Sequence, residues 1–319
     1  MVRSRLRDIA VSSFISQYST PRPIAWAEQF GSDRPLDVEI GFGLGEFIVR
    51  LAQEHPERNF VGIEQDWQRM KKALRRIEQV NQGRSLSQTL DNIRLLQVDA
   101  WVAFMRLFPQ RSIDRVFALF PCPWPKERHT KHRLFSRDFL RLVNSRLKDA
   151  GQVQIVTDHH PFFAWMMSEM TDTGFSVGTK LIEPQFDTKF ERKWCREGHK
   201  EFLELQLQKQ KHWDVPVEED EALRVYFVKD FDPDRFAFDD VTGETSIILK
   251  DFIYDAARKK GMIHLVVAEP GITQHVWVVI VQGAKGWCIA KAEGHTALPT
   301  RGVAQALRVV YKTALNNSR

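Results

Sequence analysis

The chain reads as an α/β protein: a mostly parallel, Rossmann-like sheet of seven strands flanked by helices, followed by a small α+β domain. Three observations predict this. From Leu36 onward, short apolar runs alternate with helical patterns, the signature of βαβ units. The first run ends in a glycine-rich turn that opens a helix. Past about residue 210 the alternation gives way to closely spaced strands closed by one helix.

Taken in order, the strands expected from the apolar runs are 36–40, 59–63, 93–98, 113–118, 152–157 and 175–181, with 202–208 as the last. Helical spacing fills the gaps at 45–53, 67–81, 100–107, 136–147 and 161–173. Residues 209–217 are mostly polar, carry Pro216 and lead into the acidic run Glu218–Glu221, which marks a boundary. The expected organisation is a leader over 1–35, a first domain over 36–210 and an accessory α+β domain over 211–319. In the latter, strands are expected at 222–228, 247–253, 263–268, 275–281 and 286–290, and a helix at 300–315. Before the first strand, residues 14–26 form an apolar, proline-broken leader expected to pack on the sheet edge.

A chain of 319 residues, 43% hydrophobic, holds enough apolar surface for a core in each domain. Its three cysteines, Cys122, Cys195 and Cys288, are odd in number and lack CxxC spacing, so neither a disulfide framework nor a zinc ribbon is expected. The default compartment is a reducing cytoplasm. Arg3, Arg5 and Arg7 are followed by Asp8 and by no apolar h-region, so no secretory signal is expected. No stretch approaches the roughly 20 apolar residues of a membrane span. A net charge of +5 and a pI near 9.1 suit a polyanionic partner without requiring one.

The sequence from Leu36 to Gly45 is a strand running into a turn with Gly41, Gly43 and Gly45, spaced G-x-G-x-G, one residue short of the dinucleotide fingerprint. Three acids surround it. Glu39 lies inside the strand, where a carboxylate is costly to bury unless it meets a cation or donor such as a methionine ammonium. Glu64 ends the second strand, where it can take both hydroxyls of a ribose. Asp99 ends the third and is placed to reach an adenine amino group. A dehydrogenase would use an acid like Glu64 but explains neither Glu39 nor the loop after the fourth strand.

That loop runs from Pro121 to Arg133. Pro121, Pro123 and Pro125 stiffen it, Trp124 offers a face for base stacking, and Lys126, Arg128, Lys131 and Arg133 with His129 and His132 supply cations. A stiff aromatic and basic loop beside a cofactor crevice suits RNA with an extruded base.

These motifs, with Thr157-Asp158 and Thr188-Lys-Phe-Glu191, resemble the ordered motif set of bacterial tRNA (guanine-N7)-methyltransferases over roughly residues 36 to 207. The resemblance implies a class I methyltransferase sheet with an antiparallel last strand, S-adenosylmethionine as cofactor, and tRNA as partner, with a variable-loop guanosine as methyl acceptor. It implies that Glu39, Gly41, Gly43, Gly45, Glu64, Asp99, Ala100 and Cys122 meet the cofactor. Lys126, Asp158, Thr188, Lys189, Phe190 and Glu191 match substrate-binding positions, and Arg128, His129, Lys131, His132 and Arg133 an RNA-contacting stretch. Asp158 fits equally as a cap on the helix that follows.

One departure stands out. Cys122 replaces an aspartate to which the family pattern gives a catalytic or cofactor-positioning role. Guanine N7 carries a lone pair and no proton, so its attack on a sulfonium methyl needs alignment rather than a base. The alternatives that Cys122 raises are an inactive RNA-binding homologue, a methyltransferase on another RNA, or a cysteine nucleophile favoured by Lys126 and Arg128. No metal is expected: His264, His275 and His295 are widely spaced and suit core or surface positions. The oligomeric state is not read from sequence.

Overall fold

The computed structural model describes residues 13–82, 84–85 and 89–316, so Arg3, Arg5, Arg7 and Asp8 lie outside the described residues. The chain divides into two compact units, the first ending at Glu218 and the second starting at Glu219.

The first unit is a sheet of eight strands rather than seven, in the order β1-β4-β3-β2-β5-β6-β8-β7. Its strands are β1 (Phe14–Ile15), β2 (Leu36–Ile40), β3 (Asn59–Glu64), β4 (Ile93–Gln97), β5 (Ile113–Leu119), β6 (Leu147–Thr157), β7 (Phe175–Ile182) and β8 (Phe202–Lys209). The helices are α1 (Trp26–Phe30), α2 (Glu46–Glu54), α3 (Trp67–Asn81), α4 (Ala100–Arg106), α5 (Arg137–Arg146), α6 (His160–Glu169) and α7 (Lys189–Arg196). Every residue of β2 and β3 is buried, as expected of central parallel strands covered on both faces. Val38 sits between Val61 and Val116 in the parallel register. β8 alone runs antiparallel, between β6 and β7.

The chain leaves β2 for β3 and β4 on one side and later returns to β5 and β6 on the other. This strand-order reversal is where open α/β sheets hold ligands, at the carboxyl ends of the strands. Capping fixes the helices that frame it. Asp66 Oδ1 accepts the Gln68 and Arg69 amides at the start of α3, and Ser136 caps α5.

At the opposite end, the fully buried Asp37 accepts a two-pronged bond from Arg58 at 2.6 and 2.7 Å and further bonds from Arg115. Residues 213–218 fold back onto this unit. The buried Arg146 donates to Phe104 O (2.7 Å), Val215 O (2.6 Å) and Pro216 O (3.1 Å), and buried Arg106 pairs with Glu218 at 3.1 Å.

The leader does pack on the sheet edge, as β1 paired in parallel with β4 through Phe14↔Leu95 and Ile15↔Leu96. β6 begins at Leu147 instead of 152, because Ile113↔Leu147 pairs across a bulge that the turn-like Lys-Asp-Ala-Gly sequence hides.

The second unit is a five-stranded antiparallel sheet ordered β10-β11-β12-β13-β9. Its strands are β9 (Tyr226–Val228), β10 (Ser246–Asp255), β11 (Lys260–Glu269), β12 (Ile272–Gly283) and β13 (Gly286–Lys291), with helix α8 (Arg301–Asn316) after them. Alternate residues Ile263, Leu265 and Val267 of β11 and Val276, Val278 and Ile280 of β12 form its core with Val303, Leu307 and Val310 of α8. The histidines read as widely spaced come together here. His264 Nε2 lies 3.0 Å from His275 Nδ1, His264 stacks on Trp277 with ring centroids 4.6 Å apart, and His295 Nε2 is 2.8 Å from His275 O. Among the described residues no three His, Cys, Asp or Glu side chains are grouped to hold a metal ion, and no helix is long and apolar enough to cross a membrane.

Candidate active site

The carboxyl ends of β4, β3, β2, β5 and β6 bring the sequence-predicted residues to one edge in the order Asp99, Glu64, Glu39, Cys122, Asp158. β2 ends in the glycine turn. Gly41 and Gly43 have φ of +72° and +58°, and a Cβ at Gly41 would meet nothing within 4 Å, so the ligand side of the turn is open. Gly45 serves another purpose. A Cβ there would lie 2.8 Å from Ala73 Cβ, so this glycine lets α2 approach α3 rather than a ligand.

Glu39 is buried, and its Oε2 has no hydrogen-bond partner among the described residues. Burial pushes its carboxyl up to about 8; the nearby Glu64 carboxylate adds to this, and the Ile48 backbone amide and Arg50 oppose it. Glu64 shapes the turn itself: Oε2 accepts the Gly43 amide at 3.1 Å and Oε1 the Asp66 amide at 3.0 Å. Asp99 caps α4, with Oδ1 accepting Trp101 N at 2.8 Å and Val102 N at 3.3 Å, while Oδ2 is held by the Gln65 amide group. Burial raises the Asp99 carboxyl above its ordinary range despite these donors. Ala100, the first residue of α4, is buried beside it.

A crevice lined by Glu39, Gly41 and Gly43 is closed on its far wall by Thr188, Lys189 and Phe190. Thr188 caps α7 by accepting the Glu191 amide at 3.2 Å. Glu191 does not face the crevice as a ligand-binding acid. Buried at 2% exposure, its carboxylate accepts the backbone amides of Gln185, Phe186 and Asp187 and so fastens the loop before α7. The Thr-x-x-Glu spacing is a capping-box pattern, and reading it so would have predicted α7. The sequence reading also missed Glu46, the first residue of α2. Its carboxylate accepts the Lys189 amide and the Arg192 guanidinium, both at 2.6 Å.

The proline-rich loop leaves β5 with two residues in the left-handed region, Phe120 (φ 55°) and Trp124 (φ 44°), which marks a held, strained backbone. Cys122 is exposed on it. Arg133 is not free for RNA. It donates to Pro123 O at 3.0 Å and stacks over the Trp165 ring, clamping the loop from below. His129 and His132 flank Trp124 with ring centroids at 5.7 and 5.2 Å. Lys126, Arg128 and Lys131 are exposed and have no ion-pair partner among the described residues. Asp158 follows β6 and is not the cap of α6; His159 is, accepting Phe162 N at 3.0 Å. The Asp158 carboxylate therefore remains without a hydrogen-bond partner among the described residues.

A buried carboxyl with one oxygen unpartnered among the described residues, an open glycine turn and carboxylates on the two neighbouring strand ends suit the ammonium, ribose and adenine of S-adenosylmethionine. Residues 33–203 match the family model described as "Putative methyltransferase". The chain is 44% identical over 189 residues to a tRNA (guanine-N(7)-)-methyltransferase of Chlorobium phaeobacteroides, covering 59% of this chain and 89% of that protein. A Thermotoga maritima protein of the same name is 38% identical over 57% of this chain and 56% of its own length. An Aquifex aeolicus one is 30% identical over 285 residues, 86% of this chain and 92% of that one, so similarity reaches into the second unit, where the sequence motifs had not. The chain belongs to the family of tRNA (guanine-N7)-methyltransferases.

Proposed function

We propose that this protein transfers a methyl group from S-adenosylmethionine to N7 of a guanine in the variable loop of tRNA. When bound, the cofactor supplies an electrophilic methyl on a sulfonium. Glu39 receives the methionine ammonium, Glu64 the ribose hydroxyls and Asp99 the adenine amino group, with Asp99 Oδ2 exchanging its Gln65 donor. Lys126, Arg128 and Lys131 meet phosphates, Trp124 stacks on the extruded base, and Asp158 accepts hydrogen bonds from the N1 and N2 edge of guanine. N7 keeps its lone pair and loses no proton, so the residues supply alignment and no general base, and a neutral Cys122 is compatible with the reaction.

The observation that carries this reading is the Glu39 carboxyl oxygen near the end of β2, on the same sheet edge as Lys126 and Asp158, all three without a partner among the described residues. Incubating the full chain with labelled S-adenosylmethionine and total tRNA tests it, with nucleosides identified by mass. The expected product is 7-methylguanosine. Its absence from a protein that binds the cofactor would refute the assignment.

A further inference from the structure

Five polar links run between α2, α3, the glycine turn and the crevice wall made by Thr188, Lys189 and Phe190, and none belongs to the sheet. Glu46 Oε2 accepts the Lys189 amide at 2.6 Å, and its Oε1 accepts Arg192 at 2.6 Å and Arg76 at 3.5 Å. Arg76 also donates to Leu44 O of the glycine turn at 3.2 Å, and Arg50 donates to Phe186 O at 2.6 Å. The Glu46 side chain is only 14% exposed, so these bonds are partly shielded from water. One carboxylate thus joins the floor of the crevice, from α2 and the glycine turn, to a wall that lies more than 140 positions away in sequence.

We propose that Glu46 is a positioning residue: by holding the start of α7 against the glycine turn, it sets the wall that closes over the bound cofactor. The inference rests on the reading of this crevice as the S-adenosylmethionine site. Glu46 sits at the first position of α2, where a carboxylate also meets the positive end of the helix dipole. There it also pairs with Arg192 and Arg76. A wall hung on charge-assisted bonds to one side chain is released when that side chain is cut back, while the sheet beneath it stays intact.

The test uses the full chain and S-adenosylhomocysteine as the probe, with binding followed by calorimetry. Glu46→Ala is expected to raise Kd roughly tenfold, the loss of about one charge-assisted bond. Glu46→Gln, which keeps a carbonyl acceptor for the Lys189 amide, recovers part of that loss, and Arg192→Met reproduces part of it. Adding Arg192→Met to Glu46→Ala weakens binding little further, because both act through one link. In the unliganded protein, hydrogen exchange speeds up at Lys189–Glu191 and not in β2 or β3. Turnover at saturating cofactor falls by less than Kd rises.

An unchanged Kd in folded Glu46→Ala, or a fall in turnover with Kd unmoved, overturns the inference while leaving the crevice assignment standing. Failure of the wild-type chain to bind the probe at all overturns both.

Discussion

Glu39 carries a prediction that depends on proton counting. In the unliganded protein its carboxyl titrates near 8 instead of 4.5, chiefly because burial disfavours the charged form. At about 1.4 kcal/mol per pH unit, ionising it in place costs on the order of 5 kcal/mol. A raised carboxyl means that the folded chain holds a proton which the unfolded chain has lost. This contribution to stability is therefore complete below pH 4.5 and is lost as pH rises toward 8. Glu39→Gln, which has no proton to lose, escapes this decline.

Cofactor binding reverses the preference, since a methionine ammonium beside Glu39 favours the carboxylate. Below pH 8 the acid and the ammonium enter with two protons and the pair retains one. Binding therefore releases about one proton at pH 6.5 and strengthens up to roughly tenfold per pH unit toward 8. Above that the free α-amino group, with an ordinary pKa of about 7.7–8.0, deprotonates and affinity falls again. Calorimetry of S-adenosylmethionine binding in two buffers of different ionisation enthalpy measures the proton count directly. Glu39→Gln is expected to release close to none at pH 6.5 and to bind at least tenfold more weakly at pH 8. A wild-type count near zero at pH 6.5, or equal affinity of the two proteins at pH 8, would refute the pairing of Glu39 with the ammonium.

Three further expectations follow from the same geometry. Cys122→Ala should change turnover less than about threefold, since general-base contributions run to about a hundredfold or more and none is needed at N7; a hundredfold loss in a methyl-transfer assay would show that the thiol takes part. Arg133→Met frees Pro123 and Trp124 from their clamp, so kcat/KM for tRNA should fall by roughly tenfold to a hundredfold with cofactor Kd unchanged, as read by steady-state kinetics and calorimetry. Gly62→Ala places a Cβ 2.6 Å from Phe42 and 2.8 Å from Leu95 inside the central sheet, and chemical denaturation should show a loss of about 1–3 kcal/mol.

What sequence revealed and what it hid divide along local and non-local lines. α3 (Trp67–Asn81) matched its periodic pattern at both ends because Asp66 caps it and apolar residues recur on one face. The three acids were legible because Glu64 and Asp99 close apolar runs and Glu39 sits inside one just before the glycine turn. β1 was not, since two residues carry no period and their pairing with β4 comes from eighty positions downstream. The structural duties of Glu191, Arg133 and Gly45 were equally hidden, because their partners lie in backbone geometry that a motif does not display. Glu46 had no signal at all: a glutamate at the start of a helix is ordinary until Arg192 is brought to it. His264 and His275 looked unrelated because only the β11–β12 register, Val266↔His275 and His264↔Trp277, sets them side by side.

The segment from Trp213 to Glu218 matters for anyone dividing this chain. The family match stops at residue 203, yet the first unit continues to Glu218. Arg146, whose pKa burial lowers to about 10, finds two of its acceptors at Val215 and Pro216. Asn144 receives the Trp213 amide at 2.9 Å, and Arg141 stacks on the Trp213 ring. This tail is a stopper seated in the base of the methyltransferase unit, outside the stretch that the family model matches. A fragment ended at the last recognisable strand would unstopper α4 and α5, hydrate a guanidinium held dry in the intact protein, and lose stability for reasons unrelated to the second unit.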